Sequence, residues 1–155
     1  MADYQQRTPL TPEAFIKMFQ TIHLGLLAGQ ALFAVVTYTQ FGASKFDIKN
    51  TADPLLYVVP LFAITSFIAS VILFKLLVSK AAGKETLTEK VMAYQTALLV
   101  RFAILESASL FGLVVFFSTH NLFFLLVSII LMVYFLTLRP TKDKMDYDLN
   151  LTYPY

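Results

Sequence analysis

The chain has 155 residues, of which 57% are hydrophobic and 14% charged, with a mean hydropathy of +0.68 and a formal net charge of +2. Soluble domains are about half apolar and a quarter charged, so the additional apolar surface is suited to contact with lipid. The length leaves room for one membrane domain over 1–155, and the absence of cysteine excludes disulfides, thiolate metal sites and thiol catalysis.

A first helix is predicted to follow a polar arm over 1–12. Thr11 is suited to cap this helix and Pro12 to occupy its first position. The apolar crossing covers about 20–41, and residues 41–44 end it. Because this run is too long for the apolar core of a signal peptide and follows a polar segment, no cleavable leader is expected.

The second crossing is predicted over 55–78, with a kink at Pro60, whose ring removes a backbone hydrogen bond. A charged loop separates it from the third helix. Thr86-Leu87-Thr88-Glu89 has the sequence of a capping box, which predicts a helix from 87 to 117. Its apolar crossing covers 93–117.

The fourth crossing is predicted over 122–138. A tight turn at 118–121 precedes it, so the third and fourth helices should lie antiparallel. Arg139-Pro140 ends the helix, and a mixed-charge tail occupies 139–155.

Lysine and arginine are unequally distributed between the two ends of the predicted helices. The arm with the start of the first helix, the second loop with its flanks, and the tail hold nine of them, whereas the first and third loops hold two. Because basic residues are retained on the cytoplasmic side, both termini are predicted to lie in the cytoplasm, with the chain in a bacterial inner membrane. The nine are Arg7, Lys17, Lys75, Lys80, Lys84, Lys90, Arg139, Lys142 and Lys144, and the two are Lys45 and Lys49. The predicted fold is an all-α membrane protein, a four-transmembrane-helix bundle.

The first and third crossings can be aligned without a gap, 26–36 against 104–114, which places His23 opposite Arg101. An internal duplication would give two similar hairpins related by an axis along the membrane normal. Chance similarity between two apolar helices is the alternative explanation.

Arg101 and Glu106 are charged residues inside the third crossing. Such groups cost a few kcal/mol each within lipid, so they usually face other helices or water. They are about 140° apart around the helix axis, an arrangement unsuited to an ion pair within one helix. Partners from another helix are therefore expected, and His23 and Gln30 are candidates because they share one face of the first helix.

These four side chains are predicted to form a buried polar cluster between the first and third helices, a candidate proton or ligand site. Gly25 and Gly29, four residues apart, would let the first helix approach closely. The matching small residues on the third helix are Ala103, Ser107, Ala108 and Gly112. Two interpretations of the cluster stay open: the polar groups hold the helices together, or Glu106 binds a proton or ligand.

Residues 105–114 read Leu-Glu-Ser-Ala-Ser-Leu-Phe-Gly-Leu-Val. This run resembles the carboxylate helix of the proteolipid (c) subunits of rotary ATP synthases and ATPases, where a similar run carries the ion-binding carboxylate. The resemblance implies that Glu106 carries a proton. It does not extend to the preceding crossing, which lacks glycine, or to the loop, which lacks Arg-Gln-Pro. The chain as a whole resembles four-span bacterial inner-membrane proteins.

Other chemistry has no motif to support it. His23 and His120 lie about one membrane thickness apart, too far to share a haem or a metal. No phosphate-binding loop, nucleophile elbow or zinc motif occurs. We therefore expect no catalytic residue, no metal or other cofactor, and no nucleic-acid partner.

Two functions remain. The first is a non-enzymatic integral membrane subunit or interaction module, homo-oligomeric or part of a larger inner-membrane complex, because the loops are short and hold no catalytic constellation. The second is a proton-linked or small-ligand-binding transport component that uses Glu106.

Overall fold

The computed structural model describes residues 11–40, 45–50 and 52–151. Residues 1–10 of the predicted arm, the helix end at 41–44 and the last four residues of the tail lie outside them. The elements are α1 (Pro12–Gln40), α2 (Leu55–Ala82), α3 (Leu87–Thr119), α4 (Leu122–Thr137) and α5 (Lys142–Asp148). No strand occurs in the described ranges, which confirms the predicted all-α class.

Three of these helices, α1, α2 and α3, are each long and apolar enough to cross a membrane. With 16 residues, α4 passes the same test only together with α5, from which an 82° bend separates it. The described chain therefore offers three membrane-crossing helices, or four if the bent pair is one span. This is consistent with the predicted multi-pass membrane protein.

Local signals set the ends of α3. The backbone N–H of Glu89 donates to Thr86 Oγ1 at 3.2 Å, and the Thr86 N–H donates to Glu89 Oε2 at 3.3 Å, so the predicted capping box is confirmed. At the other end, His120 adopts a left-handed conformation with φ of 57°. That conformation ends α3, and the side chain of Asn121 then accepts the Phe123 N–H to begin α4.

The central helix is α3, which packs against α2, α4 and α1. The ring of Phe74 contacts Tyr94, and the ring of Phe62 contacts Phe111. These two contacts show that α2 and α3 run antiparallel to each other. By contrast, α1 makes little or no contact with α2. The two halves of the chain are therefore not equivalent hairpins, contrary to the duplication that the alignment suggested.

One end of the helices, here called the charged end, comprises the starts of α1 and α3, the ends of α2 and α4, and α5. Ring contacts of Tyr94 with Phe15 at 6.5 Å and with Phe74 at 6.2 Å bring α1, α2 and α3 together there. Most basic residues of the described ranges lie at this end: Lys17, Lys75, Lys80, Lys84, Lys90, Arg139, Lys142 and Lys144.

The short helix α5 was not predicted, since the sequence of the tail indicated only mixed charge. The Thr141 side chain caps it by accepting the Lys144 N–H at 3.3 Å. Met145 and Leu149, one turn apart, are both 0% exposed against the charged end. The tail therefore contributes to the core through α5.

At the opposite end, the loop after α1 is joined to the turn between α3 and α4. The Lys45 N–H donates to the His120 carbonyl at 3.2 Å, and the Leu122 N–H donates to the Lys45 carbonyl at 3.0 Å. The side chain of Asn121 adds hydrogen bonds to the backbone of Asp47.

Candidate functional site

Ring contacts fix how α1 lies against α3. The ring centroids of Phe15 and Tyr94 are 6.5 Å apart, and those of His23 and Phe102 are 5.3 Å apart. The two pairs have the same separation in sequence, so the helices run parallel in a constant register. Two helical turns beyond His23, Gln30 therefore lies level with Ser109.

The register of α4 follows from two contacts in the opposite order. Phe102 meets Phe135 at 5.2 Å between ring centroids, and Ser109 Oγ donates to the Ser128 carbonyl at 3.5 Å. Gln30, Ser109 and Ser128 are thus at one level, and each is 1% exposed or less. This level therefore holds three buried polar side chains, and a hydrogen bond joins Ser109 to Ser128.

His23 is bound to α4 and not to the acids of the chain. Its Nε2–H donates to the Phe135 carbonyl at 2.9 Å, which makes Nε2 the protonated nitrogen in this contact. The imidazole is 3% exposed. It stacks on Phe135 at 4.6 Å and meets Phe102 at 5.3 Å, so it fills space between two phenyl rings.

Gln30 is almost completely buried, at 1% exposure. Its side-chain nitrogen and oxygen have no hydrogen-bond partner among the described residues. A primary amide offers two donors and an acceptor, and leaving it unpaired in an apolar core costs about 1–3 kcal/mol. Gln30 is therefore the buried polar group of α1 with most hydrogen-bonding capacity left over.

Arg101 faces α2 and α4. Its guanidinium donates to the Tyr134 hydroxyl at 2.9 Å and lies 4.4 Å from the centroid of the Phe74 ring. The Nε–H is buried without a hydrogen-bond partner in the described chain. An aromatic face and a phenol thus take the place of His23 and Gln30, the partners that the sequence led us to expect.

Asp148 of α5 is an acid whose charge interacts with that of Arg101. Its Oδ2 accepts a hydrogen bond from the Tyr94 hydroxyl at 3.0 Å. Partial burial raises the pKa of Asp148 above its ordinary value of 3.8, while Tyr94, Arg101 and Lys144 act in the opposite direction. Since Tyr94 also contacts Phe15 and Phe74, this hydrogen bond attaches the tail helix to the middle of the charged end.

Glu106 is only partly buried. Its side chain makes no hydrogen bond or ion pair with any described residue. It borders an exposed stripe of α3 whose nearest members are Ala103 and Ser107. The carboxyl is therefore directed towards the outside of the bundle, near the midpoint of the apolar run 93–117.

The four residues of the predicted cluster are not brought together. No hydrogen bond or ion pair joins any two of His23, Gln30, Arg101 and Glu106 in the described chain. His23 contacts α3 and α4, and Arg101 contacts α2 and α4 on another side of α3. The predicted partners of Arg101 are replaced by Tyr134, Phe74 and the electrostatic influence of Asp148.

The small residues also differ from their predicted roles. A Cβ added to Gly25 or Gly29 would meet no atom within 4 Å, so these glycines make no close helix contact within the described chain. A Cβ added to Gly112 would collide with Ser128 Oγ and lie 3.4 Å from the Phe124 carbonyl. Close approach therefore occurs between α3 and α4. Of the other small residues, Ala108 is 2% exposed, whereas Ala103 and Ser107 face outward.

Sequence reasoning missed Tyr94, Tyr134 and Asp148. Tyr134 could have been identified from the sequence, because a phenol within an apolar helix needs a hydrogen-bond partner. Asp148 gave no such signal, since its role depends on the docking of α5. Within the described ranges, no group of three His, Cys, Asp or Glu side chains could hold a metal ion.

Comparison with known proteins gives no relative, since no family model, curated protein sequence or solved structure matches this chain.

The position of Asp148 leads to a prediction on pH dependence. Because its pKa is higher in the folded chain, the folded state binds the proton more tightly than the unfolded state. This stabilising contribution is complete below the ordinary pKa of 3.8 and is lost as pH rises through the raised value. Wild type should therefore lose stability relative to Asp148→Asn over that window. Thermal unfolding of both proteins in detergent against pH measures the difference, and a pH-independent difference would contradict the assignment.

Proposed function

We propose that the chain is a non-enzymatic membrane subunit, a four-helix bundle in a bacterial inner membrane that assembles through the face of α3 bearing Glu106. The observation that carries this proposal is the carboxyl of Glu106, partly exposed and unpaired among the described residues. A charged group facing lipid at the middle of a span costs about 2.5–3.5 kcal/mol. A second surface that covers this carboxyl and donates a hydrogen bond to it removes much of that cost.

The surroundings of Glu106 suit such an interface. Ala103 and Ser107 lie on either side of it along α3 and are exposed. Small side chains let a neighbouring helix approach to the distance at which van der Waals contacts and interhelical hydrogen bonds form. A second copy of the chain is the first candidate for the partner, and another membrane subunit is the second.

The proposed orientation places both termini in the cytoplasm. Its support is the gathering of basic side chains at the charged end, with Lys45 and Lys49 beyond the other end of the helices. Because α4 has 16 residues, it is near the lower limit for crossing a hydrocarbon core of about 30 Å. The bend before α5 then lies at the cytoplasmic interface.

Assembly can be tested by native mass spectrometry and crosslinking of the detergent-solubilised protein. Glu106→Leu removes the hydrogen-bonding group and Ser107→Leu removes the space beside it, so both should weaken association, by about threefold to twentyfold for one interhelical hydrogen bond. Gly29→Leu places the same side chain on the open face of α1 and serves as the matched control. If the control weakens association as much, or neither α3 variant does, the proposed interface is incorrect.

Proton-linked transport through Glu106 is the second candidate function, favoured by the same unpaired position and by the resemblance to the carboxylate helix of proteolipid subunits. The two functions differ in what Glu106→Gln should do. Glutamine keeps the hydrogen bonds of a subunit interface but cannot titrate. An infrared carboxyl band that titrates in wild type, is absent from the variant and accompanies proton uptake by the assembled protein would favour transport.

A further inference from the structure

A groove between α1 and α4 opens at the charged end and has a volume of about 510 Å³. The groove is lined by Lys17 of α1 and by Arg139, which lies two residues beyond α4. The buried imidazole of His23, which is 3% exposed, also lines it. Cations from two separate elements therefore meet at one opening.

The described acids around this groove form no ion pair with its cations, although Glu13 attracts Lys17 over a longer distance. Lys17 and Arg139 form no ion pair with any described residue. Glu13, one turn before Lys17, is paired with Lys142 at 3.3 Å. Lys144 adds a further ammonium group beside Arg139, because its Nζ donates to the Arg139 carbonyl at 3.1 Å.

Away from these cations, the wall of the groove becomes apolar. Leu24 and Leu27 of α1 and Leu136 of α4 form this part. Leu24 and Leu136 are 65% and 57% exposed, so their side chains are open to whatever lies beside the bundle. From Lys17 to Leu27 the helix rises about 15 Å, which matches half of a hydrocarbon core of about 30 Å.

We propose that this groove binds a phospholipid with an anionic headgroup. The phosphate lies between Lys17 and Arg139, where a guanidinium can bind two phosphate oxygens at once and an ammonium adds a point charge. One acyl chain follows Leu24, Leu27 and Leu136 into the bilayer. The apolar wall selects a lipid over free phosphate, because phosphate alone leaves that wall uncovered. This inference rests on the proposed membrane placement and orientation, and is independent of assembly through Glu106.

The test is native mass spectrometry of the whole chain in a neutral detergent, titrated with phosphatidylglycerol or phosphatidylcholine. Wild type should bind phosphatidylglycerol more tightly. The double variant Lys17→Gln/Arg139→Gln should lose that preference, with roughly twenty-five-fold weaker binding if each cation contributes about fivefold. Both side chains are exposed, so the variant should keep the fold of wild type. The matched control is Lys75→Gln/Lys80→Gln, which removes the same charge from exposed positions of α2 at the same end.

Each other outcome overturns the proposal. An equal loss of lipid affinity in the two double variants would mean that the overall positive potential of the charged end attracts the lipid and that the groove is not a specific site. Unchanged binding in the first variant would place the lipid elsewhere. A titration with inorganic phosphate forms the second arm, in which little binding is expected. Binding of phosphate as tight as that of phosphatidylglycerol, lost in the first variant, would show a free-anion site. Glu106→Leu should leave lipid binding intact, which separates this test from that of the interface.

Discussion

Gly112→Leu is expected to separate α3 from α4 and to destabilise the fold by about 3 kcal/mol, at the upper end for overpacking of a core. Even a Cβ at this position collides with Ser128 Oγ, and the Phe124 carbonyl behind it belongs to the backbone. The Ser128 hydroxyl donates to that carbonyl at 3.0 Å, so moving it also breaks a buried hydrogen bond. Unfolding of the detergent-solubilised protein by a denaturing detergent measures the loss.

The same substitution at Gly29 provides the control. Since no atom lies within 4 Å of a Cβ added there, Gly29→Leu should change the free energy of unfolding by less than about 0.5 kcal/mol. Gly112→Ala should fall between the two, because the Ser128 side chain can rotate away from a single methyl group. Equal effects of leucine at Gly29 and Gly112 would show that the helix faces are assigned incorrectly.

His23→Ala should also be strongly destabilising, by about 3 kcal/mol, because it leaves a cavity between Phe102 and Phe135. The Phe135 carbonyl keeps the N–H of Leu138 as a donor, so lost packing dominates over the lost hydrogen bond. His23→Phe restores the ring without the donor and should cost only about 1 kcal/mol. Thermal unfolding of both variants separates the two contributions.

A double-mutant cycle gives the corresponding control for His23. If its partners are the two phenyl rings and the carbonyl of α4, His23→Ala and Glu106→Gln should have additive effects on stability, because the two side chains share no contact. An interaction energy above about 1 kcal/mol would instead support the cluster predicted from the sequence.

Helix boundaries were predictable where local chemistry sets them. The capping box at Thr86 and the proline at position 12 act within one turn of the chain, so their effect can be read without knowing any neighbour. The helix α5 could not be found in this way. It has 7 residues, too few for stability in isolation, and Met145 and Leu149 hold it against other helices.

The rotation of each helix about its axis could not be predicted from the sequence. Arg101 and Phe102 are about 100° apart on α3. One contacts α2 and α4, and the other contacts α1 and α4, so a modest error in rotation exchanges their partners. Spacing likewise made Gly25 and Gly29 resemble a packing motif, but an apolar helix beside lipid has no polar outer face to reveal its orientation. Among the glycines that the structure describes, only Gly112 occupies a close contact between helices.

The contacts of α1 have a consequence for biosynthesis. It packs against α3, α4 and α5 but makes little or no contact with α2, the helix that follows it from the ribosome. In a chain inserted from its N-terminus, α1 therefore has no helix partner until α3 has been made, and its remaining contacts form with α4 and α5. During that interval the imidazole of His23 and the amide of Gln30 face lipid or an insertion factor. Synthesis of α3 is thus the step at which α1 and α2 can join one bundle, and premature termination after α2 would leave both helices without this shared partner.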